Sequence, residues 1–121
     1  MSKNPQFRLK SPQLRLSEND VESACLDLAR LRGWWPIRLH AGLFRSPDAR
    51  RWIRGVEKGT PDYILVKAPS FFLETKRPGG ELSPEQRQKI FELEKFYGLK
   101  TLVVEGVEEL IDWLDLLERS P

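Results

Sequence analysis

The sequence contains very little cysteine and histidine: Cys25 and His40 are the single examples among 121 residues. One cysteine excludes an intramolecular disulfide and a zinc site built from a cysteine cluster. One histidine argues against a histidine-based metal site and against a Ser-His-Asp triad. A metal bound by this chain must therefore be held by oxygen atoms, which favours Mg²⁺ or Mn²⁺ over zinc.

Long apolar runs are also missing, since the longest extend over only four or five residues. No segment is long enough to span a membrane, and residues 1–10 lack the apolar region of a secretory signal. We therefore expect no membrane partner and a cytoplasmic, intracellular location. The net charge of +2 does not by itself indicate nucleic acid.

The length predicts one domain with its own hydrophobic core. We place this domain at residues 17–121, after a basic arm at residues 1–16. The arm is either a disordered tail or a contact to phosphates or to a partner subunit.

The central stretch of the chain runs from Gly59 to Lys76 and reads G-T-P-D-Y-I-L-V-K-A-P-S-F-F-L-E-T-K. Two apolar runs flank turn-forming residues at 68–70, which predicts an antiparallel hairpin. Pairing about Ala68 places Ile64 opposite Phe72. A slip of one residue would move every side chain to the other face of the sheet.

The same pairing places Asp62 opposite Glu74, and strand alternation places Lys76 on the same face as Glu74. Two like charges opposite each other destabilise a sheet unless something compensates them. A divalent cation beside the lysine would do so. The alternative interpretation is that charged groups are common at strand ends and that these three form only a salt bridge.

Helices are predicted on both sides of the hairpin. The first covers Ser17–Arg32, with Glu22 in an early turn, where an acid usually only complements the helix dipole. The second begins at Ser83 with Gln86 completing a capping box, and it ends at Tyr97. Capping alone is thus enough to explain Gln86.

Two further strands are predicted at Trp34–His40 and Leu99–Val104, and a last helix at Val107–Leu117. Pro36 suggests that the first of these strands lies at a sheet edge. Trp113 falls off the apolar stripe of the last helix, which suggests a subunit contact. The order α-β-β-β-α-β-α predicts an α/β domain with a mixed β-sheet flanked by helices.

The connection between residues 41 and 58 is long for a small domain and is rich in arginine, with two aromatic residues interleaved. Such a segment is usually functional or disordered, and we suggest a helical turn at residues 50–54. Basic and aromatic residues that lead into the Asp62 strand suit phosphate contacts. The alternative is a solvated loop. The candidate DNA-binding residues are Arg45, Arg50, Arg51, Arg54 and Lys58.

The order of these motifs is G-T-P-D, an apolar hairpin, L-E-T-K, L-S-P-E-Q, an amphipathic helix and a G-L-K-T-L-V-V strand. It resembles the PD-(D/E)xK nuclease superfamily and, within it, the virus-type replication-repair nuclease (VRR-NUC) family. The resemblance covers roughly residues 19–104. It implies a restriction-endonuclease-like fold and an enzyme that hydrolyses phosphodiester bonds with Mg²⁺ or Mn²⁺.

The resemblance also implies roles for individual residues. Asp62, Glu74 and the backbone carbonyl of Thr75 would hold the metal. Glu22 on the first helix would face the metal site and hold a second metal or its water shell. Lys76 would orient or deprotonate the attacking water, or stabilise the transition state, and a neighbouring cation favours the base role. Gln86 occupies the family's S-x-x-Q position and would point at the site as well as cap its helix.

Short standalone members of the family resemble Holliday-junction resolvases that work as homodimers and are often encoded by phages. A homodimeric junction resolvase acting on branched DNA is therefore the expected function. A flap-specific or nonspecific DNA endonuclease is the alternative within this class. Two other classes stay open, namely a noncatalytic nucleic-acid-binding module and a dimerisation protein that uses the tryptophans and the last helix.

Overall fold

A computed structural model of the chain describes residues 16–41 and 43–119, with only the backbone of Leu43 and Phe44. The predicted arm at residues 1–16 lies outside the described residues except for Leu16. The elements in chain order are α1 Glu18–Leu31, β1 Trp35–Arg38, β2 Leu43–Arg45, β3 Trp52–Arg54, β4 Tyr63–Val66, β5 Phe71–Thr75, α2 Pro84–Tyr97, β6 Thr101–Val104 and α3 Val107–Arg119. The predicted order of the helices and of the main-sheet strands is confirmed.

The main sheet has four strands in the order β1-β4-β5-β6. The pairs β1–β4 and β4–β5 are antiparallel, whereas β5–β6 is parallel, so the predicted mixed sheet is confirmed. The strand containing Pro36 lies at an edge, as expected for a residue that cannot donate to a ladder. Ile64 pairs with Phe72, which confirms the predicted hairpin register.

Alternation along β4 and β5 gives the sheet two different faces. One face packs against α1 and α3 and forms the core with Val21, Cys25, Ala29, Tyr63, Leu65, Phe71, Leu73, Leu110 and Leu114. Cys25 is fully buried there and burial raises its pKa to about 12, which confirms it as a core residue. The other face meets α2, a helix in which no residue is buried.

The long connection differs from the prediction. It contains a second, two-stranded antiparallel sheet, β2–β3, in which Arg45 pairs with Trp52. The suggested helical turn at residues 50–54 is wrong, because Trp52–Arg54 is a strand. A tight turn explains the difference: the side chain of Asp48 accepts hydrogen bonds from Ser46 Oγ at 2.5 Å and from Arg50 N at 3.1 Å.

The last helix also differs in one detail. Trp113 packs edge-on against Phe71, with the ring centroids 6.0 Å apart, and it belongs to the margin of the core. The suggested subunit contact through Trp113 thus loses its basis. Among residues 16–41 and 43–119, no helix combines the length and the apolar character that crossing a bilayer requires.

Candidate active site

The loop before β4 packs directly on the start of α2. Gly59 has a φ of +90°, and a Cβ at this position would lie 2.5 Å from the carbonyl oxygen of Glu85, so only glycine fits. The Thr60 hydroxyl donates to the Glu57 carbonyl at 2.6 Å, and Pro61 is buried. The G-T-P-D motif therefore delivers Asp62 to the sheet beside the first turn of α2.

Asp62 and Glu74 meet across the hairpin as predicted. Glu74 is only 1% exposed, and its Oε1 accepts a hydrogen bond from the backbone N–H of Asp62 at 3.2 Å. Asp62 Oδ2 accepts two bonds from Thr75, one from the backbone N–H at 3.3 Å and one from the hydroxyl at 3.4 Å. Each carboxylate is thus oriented by the strand that carries the other.

Lys76 and Gln86 complete this cluster. The ammonium of Lys76 lies 3.6 Å from Glu74 Oε2, and its side chain is only 14% exposed. Its backbone N–H donates to the Val104 carbonyl at 2.8 Å, so β6 fixes the residue in place. Gln86 Nε2 donates to the same Glu74 Oε2 at 3.2 Å while the other end of the amide caps α2. We call Asp62, Glu74, Thr75, Lys76 and Gln86 the site cluster.

Burial dominates the electrostatics of the two carboxyl groups. Burial and the neighbouring Asp62 charge raise the pKa of Glu74 to about 7, although Lys76 opposes the rise. Burial also raises the pKa of Asp62, and the backbone hydrogen bond from Thr75 counteracts part of this. Two adjacent carboxylates that resist ionisation together are the expected result of like charges in a low-dielectric environment.

The donor set of the site cluster fits a hard divalent cation. Carboxylate oxygens are the ligands that Mg²⁺ and Mn²⁺ prefer, and Mg²⁺ commonly takes only one or two of them and keeps several waters. Across the residues that the structure describes, no three His, Cys, Asp or Glu side chains meet in metal-binding geometry. The carboxylate part of a metal site here is therefore the pair Asp62 and Glu74.

Glu22 lies close enough for its charge to raise the pKa of Asp62, but its carboxylate pairs with Arg38 at 2.8 Å. The same Arg38 nitrogen donates to the Tyr63 hydroxyl at 2.8 Å. The sequence did not predict that Arg38 and Tyr63 lie beside Glu22. Their meeting depends on the antiparallel pairing of β1 with β4, which places Arg38 opposite Tyr63.

The candidate DNA-binding residues are all exposed and lie outside the site cluster. Arg45 and Arg54 lie on the β2–β3 sheet, and Arg50 and Arg51 lie in the turn that joins its strands. Lys58 precedes Gly59 and pairs with Glu85 at 3.8 Å, so it lies beside the start of α2. Within the described chain, no hydrogen bond or ion pair links these side chains directly to Asp62 or Glu74.

The sequence that builds this site matches the model of a known family. A family model described as the VRR-NUC domain matches residues 40–108, which span the β2–β3 sheet, the whole site cluster and β6. α1 and Glu22 lie outside the matched segment. Neither the curated proteins nor the solved structures provided a match. Because the matched segment covers more than half of the 121 residues, the chain belongs to the VRR-NUC domain family, which indicates a nuclease of the PD-(D/E)xK type.

Proposed function

We propose that this protein is a Mg²⁺- or Mn²⁺-dependent endodeoxyribonuclease that cleaves branched DNA as a homodimeric Holliday-junction resolvase. The observation that carries the proposal is the pair formed by the half-buried Asp62 and the buried Glu74, in which Glu74 also contacts Lys76 and Gln86. A DNA substrate is consistent with an intracellular location in a prokaryotic or phage-infected cell.

The carboxylates of Asp62 and Glu74 and the backbone carbonyl of Thr75 would hold the cation. When bound, the cation neutralises charge on the scissile phosphate and makes water a better nucleophile. Thr75 also keeps Asp62 in place through its N–H and hydroxyl contacts at 3.3 and 3.4 Å. Preorganised ligands of this kind lose little entropy when the substrate complex forms.

Lys76 is placed to act on the attacking water or on the negative charge that develops at the phosphate. Its side chain is mostly shielded, and the ammonium lies 3.6 Å from Glu74 Oε2, an oxygen that would bind the cation. Gln86 orients Glu74 by donating to the same oxygen at 3.2 Å, and partners of metal ligands tune both affinity and activity. Glu22 would join the ligand set only by exchanging Arg38 for the cation or one of its waters.

The basic side chains near residues 45–58 would contact the phosphate backbone. They are exposed, and arginine forms paired hydrogen bonds with phosphate oxygens. Such contacts position the duplex without reading its sequence, which suits an enzyme that recognises structure. The residues are Arg45, Arg50, Arg51, Arg54 and Lys58.

The homodimer is the part of the proposal that draws on α2. Phe91, Phe96 and Tyr97 of this helix are more than half exposed, and no residue of α2 is buried. Exposed aromatic residues are enriched at protein interfaces. A second copy packed here would supply the second active site that symmetric cleavage of a four-way junction requires.

Cleavage of labelled four-way junction, flap, duplex and single-stranded DNA with Mg²⁺, Mn²⁺ or EDTA tests the proposal. Symmetric nicking of the junction is expected only with metal. Lys76→Ala should reduce the rate by about 100-fold or more, in the range typical of a lost acid–base or electrostatic group. Lys100→Ala is the matched control, because Lys100 is exposed and pairs only with Glu94 at 2.9 Å among the described residues.

Other results would separate the remaining classes. Preferential cleavage of flaps or duplex would keep the nuclease and overturn the resolvase. A monomer by light scattering, at concentrations where junctions are cleaved, would overturn the homodimer. DNA binding that is unchanged by Asp62→Ala, with no cleavage under any metal, would favour a noncatalytic binding module.

A further inference from the structure

The β2–β3 sheet presents an exposed tryptophan that is held in place. Trp52 is 60% exposed, and the guanidinium of its cross-strand neighbour Arg45 lies 4.5 Å from the centre of its ring. Arg45 is itself fixed, because its Nη1 donates to the Ala49 carbonyl at 2.9 Å. The cation–π contact restrains the indole while most of its surface stays open to solvent.

This arrangement differs from that of the other tryptophans. Trp34 and Trp113 contact Phe71 in or beside the core. Trp35 is 65% exposed, but it lies on the edge strand β1 of the main sheet and not on the β2–β3 sheet. Only Trp52 combines exposure with a stacked arginine and further arginines along the same short sheet, among the residues that the structure describes.

We propose that Trp52, backed by Arg45, is a stacking platform for a nucleobase that is unpaired or unstacked at the branch of the DNA substrate. The proposal rests on the proposed function and names the feature of the substrate that the β2–β3 sheet recognises. Aromatic side chains stack on any base because every base has a π-face, so the platform would act without sequence preference.

The surroundings of Trp52 favour a nucleotide as the ligand. Arg54 lies two residues further along β3, on the same face of the strand, and Arg50 and Arg51 lie in the adjoining turn. A base stacked on the indole would thus have its phosphates next to cationic groups. Bases within an intact duplex are stacked on each other, so only an unpaired or easily unstacked base can reach the platform. This explains how a small domain could prefer branched DNA.

Binding measurements on paired substrates test the platform. Affinities for a flapped or branched DNA and for a blunt duplex of the same sequence are compared in Ca²⁺ for wild type, Trp52→Ala, Trp52→Phe and Trp35→Ala. Trp52→Ala should weaken binding to branched DNA by roughly 5- to 150-fold, the range measured for loss of one base–aromatic stack. It should leave duplex binding nearly unchanged. Trp52→Phe should keep most of the wild-type affinity for branched DNA, and Trp35→Ala should bind as tightly as wild type.

A second substrate series identifies the base. Each nucleotide next to the branch is replaced in turn by an abasic residue. At one position, the difference between wild type and Trp52→Ala should disappear, because the variant and the abasic substrate remove the same contact.

The proposal is overturned by an equal loss on duplex and branched DNA, by no loss beyond that of Trp35→Ala, or by an abasic series in which the difference persists throughout. Failure of the nuclease proposal is a separate result. If the nuclease proposal fails, wild type will cleave no DNA with Mg²⁺ or Mn²⁺, while the difference in DNA affinity between Trp52→Ala and Trp35→Ala will still be measurable.

Discussion

Helices α1 and α2 both start with a serine N-cap and the same capping box, but only the box of α2 contributes a side chain to the site cluster. At α1, Ser17 Oγ accepts from Asp20 N at 3.1 Å, and Asp20 Oδ2 accepts from Ser17 N at 3.0 Å. At α2, Ser83 Oγ accepts from Gln86 N at 3.1 Å, and Gln86 Oε1 accepts from Ser83 N at 2.9 Å. The backbone geometry of the two starts is equivalent.

The difference lies in the third residue of each helix. An ionised aspartate has only acceptor atoms, so Asp20 can cap its helix and do nothing more as a donor. An amide has a carbonyl oxygen for the cap and an NH₂ group to spare, and that group of Gln86 reaches Glu74 at 3.2 Å. A local helix signal thus becomes part of a site when the capping side chain has a donor left over.

The carboxyl groups associated with the two capping boxes have pKa values shifted in opposite directions. The hydrogen bonds from Ser17 lower the pKa of the exposed Asp20. Burial and the charge of Asp62 raise the pKa of Glu74, the partner of Gln86, from 4.5 to about 7. The first carboxylate stabilises the fold when ionised, whereas the second destabilises it.

The largest predicted effect is the pH dependence of stability without metal. The folded protein holds the Glu74 proton more tightly than the unfolded chain does. The contribution of this proton to the free energy of unfolding is therefore fully present below pH 4.5. It is lost as the pH rises through about 7, and the loss is on the order of 3 kcal/mol. Urea unfolding in EDTA between pH 4.5 and 8 measures this loss, and Glu74→Gln should flatten the profile.

Mg²⁺ should restore stability at pH 8 and have little effect at pH 5, because the cation binds the ionised carboxylates of the folded state. Asp20→Asn is the matched control from α1. It should leave the decline above pH 4.5 intact and change only the acidic limb, where the lowered pKa of Asp20 applies. A decline that persists in Glu74→Gln would show that another group causes it.

The next largest effect concerns the amide of Gln86. Gln86→Glu preserves the capping box but replaces the donor to Glu74 with a third carboxylate. Loss of an outer partner of a metal ligand typically costs 10- to 100-fold, and we expect a fall of about that size in the metal-dependent cleavage rate or in metal affinity. Single-turnover cleavage across a Mg²⁺ titration separates the two.

Asp20→Glu places glutamate at the equivalent position of the α1 capping box and should leave cleavage unchanged. Helix content by circular dichroism should stay the same in both variants, since both keep the cap. Wild-type activity in Gln86→Glu would mean that Gln86 acts only as a cap.

The sequence predicted what depends on local chemistry. Both serine caps and the left-handed Gly98 after α2 follow from residue types at fixed spacing. The hairpin register followed from alternation and a turn at Ala68, and with it the meeting of Asp62 and Glu74. These features need no knowledge of how distant segments pack.

The remaining features depend on contacts between distant segments. The pairing of Glu22 with Arg38 requires α1 and the edge strand β1 to lie at the same end of the sheet. The strand at Trp52–Arg54 is too short for a periodic signal, and its partner lies across a turn shaped by Asp48. Trp113 falls off the apolar stripe of α3, yet it packs because Phe71 extends toward it.

The smallest predicted effect separates capping from catalysis. Ser17→Ala and Ser83→Ala each remove one N-cap hydroxyl and should destabilise the fold by a similar amount, about 1 kcal/mol, in urea unfolding. Only Ser83→Ala should also slow cleavage, by a few fold, because the lost Ser83 hydroxyl holds the backbone N–H of Gln86 at 3.1 Å, and the Gln86 side chain donates to Glu74. Equal activity losses in the two variants would show that overall stability, and not the position of Gln86, sets the rate. Unchanged activity in Ser83→Ala would mean that the Gln86–Glu74 bond holds without the cap, because the sheet and α2 already position both residues.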